Sequence, residues 1–119
     1  MTTKQIAERL TELCRQGKFE TAQKELFAED VVSIEPNASP EFEKETKGLQ
    51  AIIEKGHKFN DMVETMNSVT LSEPIVANNS FALTMHLNAV MKGHGPMDMN
   101  ELCIYKVKDG KVISEEFVM

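Results

Sequence analysis

The stretch NSFALTMHLNAVMKGHGPMDMNELCIYKVKDGKVISEEFVM (Asn79–Met119) decides the fold. It divides into three segments of strand character at Gly93-His94-Gly95-Pro96 and at Asp109-Gly110. Asp-Gly between alternating segments is a strong hairpin signal, because both central residues of the favoured turn need positive φ. A two-residue turn there pairs Lys108 with Lys111, Val107 with Val112, Ile104 with Glu115 and Leu102 with Phe117. Taking Gly93 to Pro96 as a four-residue loop sets Lys92 against Met97, Leu87 against Leu102 and Met85 against Ile104. Opposed residues share a face. One face then holds Phe81, Leu83, Met85, Leu87, Ala89, Met91, Leu102, Ile104, Ile113 and Phe117, with Asp98, Asn100 and Glu115 as its polar members. The other is mixed and includes His86, Met99, Glu101, Cys103 and Tyr105. A slip of one residue would exchange the two faces.

Upstream of the meander, apolar residues recur at helical spacing. Ile6, Leu10 and Leu13 mark a first helix that stops at Gly17, and Phe19, Ala22, Leu26 and Phe27 mark a second. Val31–Glu35 reads as a short strand ended by Pro36. Pro36 to Lys47 has the prolines and charges of a loop, either solvated or bordering a site. Leu49, Ile52, Ile53, Gly56, Phe59, Val63 and Met66 predict a long third helix broad enough to lie along a sheet. Val69–Ala77 is strand-like, with Pro74 indicating an edge or a bulge, and Asn78-Asn79 is a turn pair. Helices gathered on one face of an antiparallel sheet make an α+β architecture.

Size and composition narrow the classes. The 119 residues, 41% of them hydrophobic, suit one soluble domain over 1–119 with a core of its own. A net charge of −6 argues against nucleic-acid and anionic-membrane partners, which need a basic surface. No apolar run reaches the length of a membrane span. The two cysteines, Cys14 and Cys103, lack Cys-x-x-Cys spacing and read as buried free thiols of a cytoplasmic protein. His57, His86 and His94 stand in different elements without metal-ligand spacing, and no cofactor fingerprint occurs, so neither metal nor cofactor is expected.

At GKFETAQKELFAEDVVSIEP (Gly17–Pro36) and VKDGKVISEEF (Val107–Phe117) the chain resembles the SnoaL-like proteins. These belong to the superfamily named after nuclear transport factor two. The resemblance spans essentially the whole chain. It implies a cystatin-like, cone-shaped antiparallel sheet with the three helices on its concave face, and often a homodimer. It also implies a pocket between helices and sheet. Activities in the family run from ketosteroid isomerisation and polyketide cyclisation to binding without catalysis, so the fold alone does not select one.

Glu35, just before Pro36, resembles the family's catalytic carboxylate, with Glu in place of Asp. In an apolar pocket its pKa would rise toward neutrality, which suits proton transfer. The family's first-helix tyrosine falls at Leu10 and its protonated acid at or beside Leu102. Leucine donates no hydrogen bond to a developing enolate, which argues against steroid isomerisation. Glu115 is the second candidate acid or base. Leu10, Phe59, Met62, Met66, Met85, Leu87, Asn100, Leu102 and Phe117 are the expected ligand contacts, the methionines giving a deformable wall. The mixed face is expected to meet a second copy of the chain. Three functions follow as expectations: binding of an apolar or amphiphilic small molecule, acid–base catalysis through Glu35, or a non-catalytic dimerisation module.

Overall fold

The computed structural model describes residues 1–119. Helix α1 (Thr3–Arg15) starts at a capping box in which the Thr2 hydroxyl accepts from the Gln5 amide and the Gln5 side chain reciprocates. Gly17, at φ 76°, turns the chain into α2 (Phe19–Leu26). A pair of hydrogen bonds from Arg9 to Glu25 ties the two helices together. Strand β1 (Phe27–Ile34) follows directly.

The segment expected to be a loop up to Lys47 ends in a short strand, β2 (Glu45–Lys47), paired with β1. Helix α3 (Leu49–Met62) is shorter than the apolar period implies. At Val63 the chain turns extended and continues as β3 (Val63–Leu71). Val63, Thr65, Val69 and Thr70 are β-branched and favour the pleated conformation, so the helical-looking Val63 and Met66 belong to a strand. Pro74 lies in the break between β3 and β4 (Ile75–Ala77), on the sheet edge where the missing amide is tolerated. Asn78, at φ 50°, turns the chain into β5 (Ser80–Met91). Strands β6 (Gly95–Lys108) and β7 (Lys111–Val118) complete the meander.

The sheet is open, curved and seven-stranded, in the order β2-β1-β7-β6-β5-β3, with β4 extending the β3 edge along β5. It is mixed rather than antiparallel throughout, because β1 runs parallel to β7. The core lies between the three helices and one sheet face: Ile6, Leu10, Leu26, Val31, Ile52 and Val112 are almost wholly shielded from water. Phe81 and Tyr105 stack within it at 4.8 Å between ring centroids. No helix is long and apolar enough to cross a membrane.

Two register details correct the expected face assignment. The β5–β6 turn is tighter than a four-residue loop, for Met91 pairs with Gly95, and Gly93 and Gly95 both take positive φ. Leu87 therefore opposes Met99 and Met85 opposes Glu101. The displacement is an odd number of residues, so β6 is turned over. Glu101, Cys103 and Tyr105 face the helices, while Asp98, Asn100, Leu102 and Ile104 lie on the convex face. The Asp109-Gly110 turn is as expected, but the pairing of β6 with β7 then shifts at Ile113, so Tyr105, not Ile104, opposes Glu115. This second shift returns Glu115 and Phe117 to the concave face, which Val112, still opposite Val107, already reaches through the inversion of β6.

The two faces predict different mutational costs. Leu10→Ala, at a site 1% exposed, should lose roughly 2–5 kcal/mol of unfolding free energy. Asn100→Ala on the convex face should stay within about 0.5 kcal/mol. Urea titrations of both variants check this, and a large loss at Asn100 would contradict the register.

Candidate functional site

Three elements bring a polar cluster to the concave face. The parallel pairing of β1 with β7 sets Ser33 beside Glu115. Val31 and Ser33 alternate with less buried neighbours along β1, so Ser33 points inward, fully buried. From α3, Lys55 lies three residues after Ile52 and four before Phe59, on the stripe that faces the sheet. Its aliphatic stem lies along that stripe and its ammonium reaches the strands.

The contacts form a continuous chain. The Lys55 ammonium donates to Ser33 Oγ at 3.0 Å and to Glu35 Oε1 at 3.0 Å. The Ser33 hydroxyl donates to Glu115 Oε1 at 2.8 Å. Lys55 Nζ also stands 6.0 Å from the centroid of the Phe117 ring, at the outer limit of a cation–π contact. Glu101 completes the group from β6. It is 8% exposed and makes no hydrogen bond to any protein group. Yet no sealed side-chain oxygen in the structure lacks a partner. The Glu101 carboxyl must therefore touch solvent-accessible space. The same reasoning applies to the second oxygen of Glu115, since Ser33 engages only the first.

Burial dominates the protonation of both carboxyls. Burial pushes Glu115 up to about 7, against the opposing Ser33 hydrogen bond and the Lys55 charge. Glu101 also rises to about 7, first through burial and then through repulsion by Glu35 and Glu115, with Lys55 opposing. Around them, burial holds the Tyr105 phenol well above its usual range and raises the Cys14 thiol to about 12 and the Cys103 thiol further. Both cysteines are free and buried. No group of three His, Cys, Asp or Glu side chains is placed to hold a metal ion.

The expected site residues divide into groups. Glu35 and Glu115 do come together, linked through Lys55 and Ser33. Phe117 and Met85 are half-buried beside the main core, and Leu10 is inside it. Phe59 and Met62 pack with Leu87 in a second apolar cluster that includes Ala89 and Met91. Met66 is on the edge strand and exposed. Asn100 and Leu102 are displaced to the convex face by the tight β5–β6 turn, and Leu102 is 38% exposed. Ser33, Lys55 and Glu101 carry the site but were not among the expected contacts. The family's protonated acid was matched at or beside Leu102, and Glu101, the acid beside it, was expected on the opposite face.

Two surface clefts flank the fold, and neither is the expected methionine-lined cavity. One of about 470 Å³, between α1 and the β3–β4 break, is bordered by Glu8, Thr11, Glu12, Arg15, Gln16, Glu73 and Pro74. The other, of about 240 Å³, lies between α3 and the Glu41–Thr46 segment, and Lys55 forms part of its wall. Lys58 holds that segment, donating to the Glu41 carbonyl and lying 5.2 Å from the Phe42 ring centroid. The long loop thus packs on α3 and borders Lys55. His57 pairs with Glu20 and His86 with Asp98, both on the surface.

This arrangement, helices over the concave face of an open curved sheet, is the cystatin-like fold shared with NTF2-like proteins. The chain belongs to the SnoaL-like domain family, whose model matches residues 1–119. A Mesorhizobium loti protein provisionally described as a SnoaL-like polyketide cyclase is similar over 100% of both chains, with 29% identity and a TM-score of 0.93. A Xanthomonas campestris protein of unknown function with a cystatin-like fold superposes with a TM-score of 0.82 at 15% identity, over 98% of this chain and 89% of its own. An NTF2-like protein of unknown function from Burkholderia pseudomallei K96243 gives a TM-score of 0.80 at 12% identity, over 100% and 92%. No curated protein matches the chain.

The raised carboxyls set a pH dependence with a definite sign. The folded protein holds protons on Glu115 and Glu101 up to about pH 7, whereas the unfolded chain releases them near the ordinary glutamate value of 4.5. The unfolded state therefore binds fewer protons in this window, and stability falls as pH rises from 4.5 to 7. The loss from Glu115 should be on the order of 3 kcal/mol at most. Glu20, Glu25 and Asp98, held below their usual values by hydrogen-bonded partners, act oppositely, and their contribution is lost only below pH 4.5. Urea unfolding between pH 5 and 8 should show the fall, and Glu115→Gln should flatten it. An unchanged slope in that variant would contradict the assignment.

Proposed function

We propose that this SnoaL-like protein, as one cytoplasmic domain over residues 1–119, binds a small amphiphilic molecule between α3 and the concave sheet. The polar end of the molecule would meet Glu101 and Glu115. Its body would lie toward Met85, Phe117 and the cluster of Phe59, Met62 and Leu87. The observation that carries this reading is the Glu101 carboxyl, nine-tenths buried, without a protein partner and open to solvent-accessible space. Burying a polar group without a partner costs free energy, and a ligand that completes it would recover that cost. Family membership supports a small-molecule site, and so does the similarity to the Mesorhizobium loti protein, provisionally a SnoaL-like polyketide cyclase.

A second reading, acid–base catalysis, is favoured by one further feature. Two carboxyls near pH 7 can give and take a proton under neutral conditions. In this reading Glu101 and Glu115 do the proton transfer. Glu35, paired with Lys55, holds the ammonium in place rather than serving as the free base.

A homodimer is the proposed assembly, through the convex face. Leu102 and Val118 oppose one another there and are both substantially exposed, with Ile104 alongside. A second copy would cover this apolar strip.

Native mass spectrometry of the protein as purified should show a small-molecule adduct that Glu101→Leu loses. An adduct kept in full by that variant, with NMR shifts confined to the cleft at Arg15, would place binding elsewhere. Light scattering should give twice the chain mass, and Leu102→Lys should halve it. A wild-type monomer at micromolar concentration would remove the dimer.

A further inference from the structure

The cluster beside α3 is one positive charge short. Three carboxylates lie on this part of the concave side, Glu35 from the end of β1, Glu101 from β6 and Glu115 from β7, and Glu101 is raised by the charges of the other two. A single cation serves all three. Lys55 is committed to Glu35 and to Ser33 at 3.0 Å each. Ser33 is in turn committed to Glu115. Of the remaining groups facing Glu101, Cys103 and Tyr105 are neutral and buried, and neither supplies a charge. No arginine or histidine contacts the group. The carboxyl left over is the one that is nine-tenths buried, unpartnered and open to solvent-accessible space.

We propose that the ligand of this site is an amphiphilic amine, whose ammonium supplies the missing charge against Glu101 and the free oxygen of Glu115. This inference rests on the binding reading above and names the class of ligand. Three physical points favour a cation over a neutral or anionic head group. An ammonium has three donors and no acceptor, which suits two carboxylates that already have acceptors in surplus. A charge-assisted hydrogen bond is roughly twice as strong as a neutral one. An anionic ligand would add a fourth negative charge opposite one lysine, and like charges at such spacing repel. A metal ion does not fit, since the carboxylates are not gathered at ligand spacing. The thioethers of Met85 and Met99 neighbour Glu101 on the same face, through its pairing with Met85 and the β6 alternation. They offer a polarizable wall for the apolar body of the amine.

The test compares three probes that share one shape, phenethylamine, 2-phenylethanol and phenylacetate, by NMR titration of the full chain. At pH 8 the amine should bind at least about ten-fold tighter than the alcohol, and phenylacetate weakest, with shifts at Glu101, Met85 and Phe117. Glu101→Gln should bring the amine down to the level of the alcohol. Raising the pH from 6 to 8 should strengthen amine binding roughly ten-fold in the native protein, because the carboxyls lose their protons across that range, while the alcohol stays flat. This pH arm needs no variant, so a misfolded Glu101→Gln does not rescue the proposal. Equal binding of amine and alcohol at these residues overturns the amine while leaving the small-molecule site intact. Tighter binding of phenylacetate also overturns it. Binding of none of the three probes at these residues counts against the site itself and the inference with it.

Discussion

The hydrogen bond from Ser33 to Glu115 joins the two strands on which the rest of the structure depends. It links β1 to β7 across 82 positions of sequence, within the only parallel pairing of the sheet. Parallel strands need a long crossover. Here the crossover comprises β2, α3 and the whole meander, so the β1–β7 contact fixes α3 over the sheet. That placement delivers Lys55 to Ser33 and Glu35. A glutamate buried at this joint is costly, and one hydroxyl with one shared ammonium does not fully compensate it. Desolvation outweighs both favourable contacts, which is why the Glu115 proton persists toward neutrality. The same arrangement that closes the fold therefore holds a carboxyl ready to exchange a proton.

A second constraint is parity. The difference between a four-residue and a tighter β5–β6 turn is small in length but inverts β6. With the looser turn, Glu101 would lie on the convex face and Leu102 on the concave one. With the observed turn, the carboxyl faces the helices and the leucine joins the exposed strip with Val118. One pair of positive-φ glycines thus sets both the chemistry of the concave face and the hydrophobicity of the convex one. The β7 shift at Ile113 then restores Glu115 to the interior, so the acidic pair exists only because both irregularities occur.

Much of the fold was legible because its signals are local. Helical spacing marked α1 and α2, the Asp-Gly pair marked the last hairpin, and alternation marked the buried face of β5. The end of α3 was misjudged because Val63 and Met66 continue a helical period, while their β-branched neighbours favour a strand. Only the pairing of β3 with β5 resolves that conflict. The short strand β2 was hidden in a charged loop because its three residues carry no pattern of their own. The site was half legible. Glu35 and Glu115 are acids in conspicuous places, whereas Lys55 reads as an ordinary polar flank of a helix and Ser33 as an ordinary strand residue. Their roles come from contacts between distant segments, which no local spacing encodes.

The assembled site also changes which carboxylate matters. Position alone singled out Glu35, before its proline, as the group to take a proton. Its side chain is 27% exposed and meets an ammonium at 3.0 Å. That ammonium occupies one oxygen of the carboxylate. Glu101 and Glu115 are more deeply buried, and burial is the largest cause raising both, outweighing the Ser33 and Lys55 contacts that favour the charged form of Glu115. The carboxyls that titrate toward neutrality therefore lie within the sheet. Glu35 and Ser33 share the Lys55 ammonium, and the Glu101 carboxyl has no protein partner.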